Sequence, residues 1–236
     1  MHTWERRIAV GDDIAVDSVW SRPADRAPSW AVILAHGAGN DMHAPFLRVM
    51  QEGLARRGGV SVRFNFPYKQ QGRKAPDRGP LLEATWRAVI AAARAEPGCA
   101  QLPLVLAGKS MGGRMASHVA AAGEPCAGLL FLGYPLHPAR RPETLRSAHL
   151  PHIRCPMLFV QGSRDALCDL GLLRRELAAV SAPWRLHVVE GGDHSFKVPK
   201  KLGRSEARVW EEILEVATDW IGDLGVGEPG GAERRP

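Results

Sequence analysis

Cysteine is scarce in this chain, and its spacing excludes two kinds of site. Only four of the 236 residues are cysteines, and they stand far apart at Cys99, Cys126, Cys155 and Cys168. No CxxC pair occurs, so the sequence contains neither a zinc ribbon nor a dithiol redox motif. We predict buried, reduced thiols that pack as small apolar side chains.

A long apolar run is also missing. The stretch Ser110–Ala122 is apolar but is shorter than the ~20 residues that a membrane-spanning helix needs. The N-terminal residues 1–10 include Trp4, Glu5, Arg6 and Arg7, where a signal peptide would have an uninterrupted apolar core. We therefore expect a soluble, cytoplasmic protein with no membrane partner.

The sequence has no block of charge of one sign and no cluster of metal ligands. Its net charge of +6 comes from arginines scattered through helical stretches and the C-terminal residues, which is typical of exposed helix faces, so we expect no nucleic-acid partner. Histidines such as His43, His149 and His152 do not follow the spacing of a three-ligand metal site. We expect no metal and no organic cofactor.

What the chain does have is the length and composition of one globular α/β domain. Apolar residues make up 45% and charged residues 24% of the sequence, an ordinary globular mixture. We predict a single domain over residues 1–222 and a disordered tail over residues 223–236, where Gly, Pro, Glu and Arg predominate.

Short apolar runs alternate with amphipathic stretches along most of the chain. A turn at residues 11–13 between two alternating segments predicts an antiparallel hairpin. The buried strands that follow are predicted at residues 30–35, 60–66, 102–107, 127–132, 156–161 and 185–189, and the helices at residues 45–57, 81–95, 110–122, 170–179 and 206–221. This alternation favours parallel strands joined by crossover helices, in three layers.

The motif Gly108-Lys109-Ser110-Met111-Gly112 lies between a predicted strand and a predicted helix. This is the GxSxG pattern in the setting that presents a serine nucleophile on a sharp turn. The glycines leave room where the backbone of that turn is crowded. Gly108-Lys109-Ser110 also resembles the end of a phosphate-binding P-loop, but that loop needs a glycine where Pro103 stands.

A serine nucleophile needs a base and an acid. In a fold with this order of strands, the acid follows the serine along the chain and the histidine follows the acid. Asp165 comes directly after the predicted strand 156–161, and His194 lies in the glycine-containing loop after strand 185–189. We predict that His194 is the base and Asp165 orients it. Asp169 is the alternative acid but is better interpreted as the N-cap of the next helix, and Asp193 could instead hold its own loop.

The oxyanion of such a reaction needs two backbone N–H donors. Met111, which follows the serine, is predicted to supply one, and Ala38 in the His36–Asn40 loop is predicted to supply the other. Gly37, Gly39 and Asn40 are alternative donors from the same loop.

With these residues in order, the chain resembles the α/β-hydrolase superfamily over nearly its whole folded length. It is most similar to the dienelactone-hydrolase-like branch, which includes testis-expressed hydrolase-like proteins and the NSL-complex scaffold subunit. The resemblance rests on the segments His36–Gly39, Arg63–Tyr68, Gly108–Arg114 and Gly133–Pro138. It implies a three-layer α/β-hydrolase fold with a mostly parallel sheet of about eight strands and an N-terminal antiparallel hairpin. Two departures are a serine where dienelactone hydrolases have a nucleophilic cysteine, so that lactone chemistry is not implied, and Ala166 where many hydrolases have a proline after the acid.

Many hydrolases insert a lid domain before the strand that carries the acid. Here that stretch, residues 135–155 between the predicted strands 127–132 and 156–161, is too short and too rich in proline for such a domain. An open site suits small acyl substrates. The residues predicted to contact the substrate all lie on loops beyond strand ends: His36, Gly37, Gly39, Tyr68, Tyr134 and His137. Packing in the core is the alternative interpretation of the apolar side chains there.

The sequence therefore predicts a serine hydrolase that acts on ester or thioester bonds through a Ser-His-Asp triad and an acyl-enzyme. Two rival hypotheses are an interaction module that retains the fold and a hydrolase-fold acyltransferase or peptidase. The oligomeric state is left open by the sequence.

Overall fold

A computed structural model describes residues 1–225 of the chain. Within these residues, the strands are β1 His2–Ala9, β2 Ala15–Arg22, β3 Trp30–Ala35, β4 Gly59–Phe64, β5 Leu104–Lys109, β6 Gly128–Leu132, β7 Met157–Gly162 and β8 Trp184–Val189. The helices are α1 Pro45–Arg56, α2 Pro67–Gln70, α3 Gly79–Ala95, α4 Met111–Ala121, α5 Leu170–Leu177 and α6 Glu206–Gly225. Of the tail predicted over residues 223–236, residues 226–236 lie outside the described residues, and residues 223–225 belong to α6.

All eight strands join one sheet in the order β1-β2-β4-β3-β5-β6-β7-β8. The first two strands form the predicted hairpin, with His2 opposite Arg22 and Ala9 opposite Ala15, and β2 also runs antiparallel to β4. From β4 to β8 the neighbours are parallel. The predicted fold class, a mostly parallel eight-stranded sheet with an N-terminal hairpin, is confirmed.

Alternate residues of the central strands pack into different layers. Ile33 of β3 belongs to a core cluster with Trp86 of α3 and Met115 of α4, whereas Leu34 belongs to a second cluster with residues of α1 and α6 such as Leu54. Because successive side chains of a strand point to opposite faces, these clusters lie on the two sides of the sheet. The arrangement has three layers, and it explains why β3 is buried at every position.

Several boundaries differ from the sequence-based prediction. The strand expected to reach Phe66 ends at Phe64, and the short helix α2 begins directly afterwards with Pro67 at its first position. Proline is favoured at that position, because its fixed φ suits the first turn and its missing N–H would have no partner there. The last helix, expected to end at Ile221, continues to Gly225.

The connection between β6 and β7 contains a single 3₁₀ turn, Leu150–His152, within the described chain. The predicted lack of a large lid domain is therefore confirmed. Among residues 1–225, no helix is sufficiently long and apolar to cross a membrane.

Candidate active site

Ser110 lies on the tight turn between β5 and α4. Its backbone has φ 52° and ψ −117°, an unusual conformation for a residue with a side chain. Close backbone contacts explain the flanking glycines: a Cβ on Gly108 would lie 2.2 Å from the Gly113 nitrogen, and one on Gly112 would lie 2.6 Å from the Ala35 oxygen. The surrounding backbone thus holds the turn in a strained shape that raises the serine above the end of the sheet.

The structure brings Ser110, His194 and Asp165 together, although the serine and histidine are 84 positions apart in the chain. His194 Nε2 lies 2.8 Å from Ser110 Oγ, and His194 Nδ1 lies 2.7 Å from Asp165 Oδ2. With the proton on Nδ1, the imidazole donates to the carboxylate and Nε2 can accept the serine proton. This is the geometry in which a serine hydroxyl can be activated by a general base.

Asp165 is held by two further hydrogen bonds. Gln161 Nε2 donates to Oδ2 at 2.7 Å, and the Leu167 N–H donates to Oδ1 at 2.8 Å. The carboxylate side chain is fully shielded from solvent, so these donors replace the water that would otherwise solvate its charge. Sequence reasoning missed Gln161, whose only signal is a polar residue inside an otherwise apolar strand.

Asp169, the alternative acid, is the N-cap of a helix, as its other interpretation predicted. Its Oδ1 accepts the N–H of Leu172 at 2.8 Å, so it is the N-cap of α5. Asp193 likewise holds its own loop, because its Oδ1 accepts the N–H groups of Ser195 and Lys197.

Lys109, the residue before the serine, is a second group that sequence reasoning missed. Its Nζ donates to the backbone oxygen of His194 at 2.6 Å and lies 5.3 Å from the centre of the Phe196 ring. Burial lowers the pKa of this amine to about 8. The side chain thus ties the serine turn to the histidine loop. Its position is the variable one in GxSxG, so the motif gave no signal.

The two predicted oxyanion donors lie on the segments that flank Ser110. Met111 opens α4, where first-turn N–H groups have no acceptor inside the helix and the helix dipole is positive. The His36–Asn40 loop passes close to the serine, since a Cβ on Gly37 would lie 3.4 Å from Ser110 Cβ. The Asn40 N–H donates to the Gly37 oxygen at 3.1 Å, which makes Asn40 the weakest of the alternative donors.

Three residues predicted to contact substrate are engaged elsewhere. Tyr68 and Tyr134 are buried, and their hydroxyls donate to the backbone oxygens of Ala38 and Arg146. His137 is buried too, and its Nε2 accepts the Asp169 N–H. The structure thus places these side chains in the interior, where their polar atoms hold loops in place.

His36 and Gly37 border a small cavity of about 70 Å³ beside the serine turn. We call it the Phe46 cavity; its other lining residues are Asn40, Ala44, Phe46, Leu47, Lys109 and Ser195. Both ring nitrogens of His36 are occupied, with Nδ1 donating to the Gly37 oxygen and Nε2 accepting the Phe66 N–H. His36 therefore shapes the cavity wall and has no free donor or acceptor for a ligand. Gly39, also predicted to contact substrate, lies exposed in the same loop.

Comparisons with known proteins agree with this fold. The family model described as an alpha/beta hydrolase domain matches residues 28–222. A dienelactone hydrolase from Anabaena variabilis superposes with a TM-score of 0.74 at 20% identity, covering 94% of this chain and 97% of that chain. An α/β serine hydrolase without lid from Xanthomonas campestris gives a TM-score of 0.68 at 20% identity, with 94% and 93% covered.

A third similar structure is a cold-adapted esterase from an Arctic intertidal metagenomic library. It has a TM-score of 0.68 at 19% identity and covers 94% of this chain and 92% of that chain. At these identities, the three structures show a shared fold, and the dienelactone hydrolase among them agrees with the predicted branch at the level of fold.

Proposed function

The chain belongs to the alpha/beta hydrolase family, and from this premise we propose that it is a serine hydrolase that cleaves ester or thioester bonds of small acyl substrates. The observation that carries the proposal is the unbroken hydrogen-bonded series from Ser110 Oγ through His194 to Asp165. Membership of the fold family alone would not suffice, because this fold serves many functions.

In the first half of the proposed reaction, His194 Nε2 takes the Ser110 proton while Oγ attacks the acyl carbon. The oxygen that becomes negative is stabilised by the N–H groups of Met111 and Ala38. Asp165 stays ionised and stabilises the imidazolium. The tetrahedral intermediate then collapses, and the leaving alcohol or thiol takes the proton from His194 as the acyl-enzyme forms.

In the second half, His194 deprotonates a water molecule that attacks the acyl carbon of the ester on Ser110. The same two N–H groups stabilise the second oxyanion. Collapse returns the proton to Ser110 Oγ and releases the carboxylic acid, so the enzyme regains its starting state.

The size of the Phe46 cavity supports short acyl groups. The cavity is small, about 70 Å³, and Phe46 and Leu47 supply apolar walls that suit a short acyl chain. The absence of a lid domain over the described chain leaves the other side of Ser110 accessible to leaving groups of varied size.

The test is labelling with a fluorophosphonate, read by intact-mass spectrometry, alongside hydrolysis of p-nitrophenyl acetate. We expect one adduct on the wild-type protein, and neither adduct nor turnover for Ser110→Ala, with a Tm within a few degrees of wild type. Ser181→Ala is the control, because Ser181 is an exposed serine in the connection between α5 and β8 and should leave labelling intact.

An adduct that persists in Ser110→Ala would refute the assignment of the nucleophile. A folded wild-type protein that never reacts would instead favour the interaction-module hypothesis. Product analysis with added amines or alcohols separates hydrolysis from acyl transfer.

A further inference from the structure

Two of the four cysteines lie side by side at the end of the sheet opposite Ser110. Cys126 precedes β6 and Cys155 precedes β7, and their Sγ atoms are 3.3 Å apart. Ser110 follows the carboxyl end of β5, whereas this pair lies at the amino ends of the neighbouring parallel strands. Both residues are thiols and are partly exposed. Cys99 and Cys168, in contrast, are buried.

The backbone at this edge has the spacing that a disulfide requires. Leu129 pairs with Met157 in the register of β6 and β7, which places Cys155 across from Ala127 and diagonal to Cys126. A strand separation of ~4.8 Å and a rise of ~3.3 Å per residue give a Cα separation of about 6 Å, which is within the usual range for disulfides. The sulfurs can therefore bond without movement of the strands.

The hydrogen bond between the two sulfurs favours one thiol as the nucleophile. Either S–H can donate; with the Cys126 S–H as donor, the bond lowers the pKa of the Cys155 thiol and raises that of Cys126. Thiolate is the reactive form of cysteine, so Cys155 reacts first and Cys126 is placed to resolve the product.

Small oxidants can reach the pair from solvent. Cys126 and Cys155 line a cavity of about 460 Å³ together with Glu124, His152 and Arg154. This cavity is larger than the Phe46 cavity but lies away from Ser110, so the chemistry assigned to the serine does not explain it.

We propose that Cys126 and Cys155 are a redox modification site that forms a reversible intramolecular disulfide when the protein meets a hydroperoxide. The Cys155 thiolate attacks the peroxide, the O–O bond breaks, and a sulfenic acid forms with release of water or an alcohol. The Cys126 sulfur then attacks the sulfenic sulfur. The S–S bond forms, the S–O bond breaks, and the hydroxyl group leaves as water with the Cys126 proton. Two thiols lose two protons and two electrons, which reduce the peroxide.

The disulfide would close a loop of about 30 residues between Cys126 and Cys155, counted from the sequence. Cross-linking restricts the unfolded chain, so it stabilises the native state. A loop of this length should raise the Tm by ~5–10 °C in a protein of this size. Because the bridge lies at the opposite end of the sheet, we expect the reactivity of Ser110 to stay the same.

The experiment oxidises the reduced, full-length protein with hydrogen peroxide and then blocks remaining thiols with N-ethylmaleimide. We expect a loss of two hydrogens by intact mass, two blocked cysteines instead of four, a 126–155 cross-linked peptide on non-reducing mapping, and a higher Tm that dithiothreitol reverses. The matched control Cys99→Ser should behave as wild type. Cys126→Ser should show no rise in Tm and should accumulate a dimedone-reactive sulfenic acid at Cys155.

Three results would overturn the proposal: intermolecular disulfides only, over-oxidation of Cys155 without a bridge, or four unmodified thiols after peroxide treatment. The peptide map of the wild-type protein decides among them even if a serine variant folds poorly. None of these readouts depends on hydrolytic activity.

Discussion

At the scale of single residues, Lys109 connects the serine turn to the histidine loop. Its ammonium group donates to the His194 backbone oxygen and lies over the Phe196 ring. Lys109→Met keeps a stem of similar length but removes the donor, so the imidazole should be less well oriented toward Ser110. A small misplacement of a catalytic group lowers turnover strongly, and we expect kcat for a short ester to fall roughly 10–100-fold with little change in KM.

Steady-state kinetics of Lys109→Met measure this effect, with Lys197→Met as the control because Lys197 is exposed in the same segment. A kcat equal to that of wild type would show that the histidine loop is held without the lysine. A rise in KM alone would mean that Lys109 contacts substrate and does not position the base.

The residue scale also shows what the sequence can and cannot indicate. The proximity of Ser110, His194 and Asp165 could be predicted, because the strand order places each of them after the end of a particular strand. Gln161 and Lys109 lie within strands and act through contacts that depend on packing. Tyr68 and Tyr134 are buried, which the sequence could not indicate, since a polar aromatic residue beyond a strand end has the same sequence signal whether it faces a pocket or the core.

At the scale of elements, the first turn of α1 forms a wall of the Phe46 cavity. Phe46 packs against Phe196 and Trp210, with ring centres 5.5 and 5.6 Å apart. Phe46→Ala would remove most of this wall and enlarge the space beside Ser110. We expect the ratio of kcat/KM for p-nitrophenyl hexanoate over acetate to rise about 10-fold or more, since each buried methylene contributes ~0.8 kcal/mol.

A series of p-nitrophenyl esters from acetate to octanoate tests this change in preference. Val198→Ala is the matched control, because Val198 packs against the same core cluster and does not line the cavity. An unchanged preference in Phe46→Ala with intact labelling of Ser110 would place the acyl group elsewhere while leaving the hydrolase proposal in place.

Element types were more predictable than their boundaries. The buried runs of β3 and β7 have no other interpretation at their length between glycine-containing turns. The end of β4 was missed because Asn65 and Phe66 continue the alternating pattern of the strand, and only tertiary contacts show where it leaves the sheet. The Asn65 side chain, for example, accepts the Met42 N–H from a distant loop.

At the scale of the whole molecule, the sheet brings together residues from the ends of β5, β7 and β8. The family pattern and the order of strands predict this convergence, because the carboxyl ends of parallel strands lie on one edge. The proximity of Cys126 and Cys155 was not predicted, because the sequence does not show the register that places β6 beside β7. The expectation of buried thiols is wrong for these two, which are partly exposed.

The stability of the whole fold should depend on pH through His36 and His149, whose surroundings disfavour the protonated imidazole. His36 is neutral in the structure, with one nitrogen donating and the other accepting, and burial lowers its pKa to about 4. His149 is bonded to Ser117 and stacked on His118 at 3.9 Å. Burial, with the charges of nearby histidine and arginine groups, lowers its pKa to about 3.

In the unfolded chain, both histidines have the ordinary pKa of about 6.5. Between pH 6.5 and about 4, the unfolded state therefore binds more protons than the native state, and the free energy of unfolding falls as the pH falls. His36 alone contributes on the order of 3 kcal/mol across this window. The contribution is fully present above pH 6.5 and is lost toward pH 4.

Urea unfolding at pH 7.5, 6.0 and 5.0, followed by tryptophan fluorescence, measures this dependence. His149→Gln keeps a polar side chain but cannot take up a proton, so its free energy of unfolding should fall less steeply with decreasing pH than that of wild type. His2→Gln is the control, because His2 is exposed at the start of β1 and its loss should leave the slope unchanged. If His149→Gln retained the wild-type slope, protonation of His149 would not be coupled to unfolding, and the acid sensitivity would have to arise from His36 and the carboxylates.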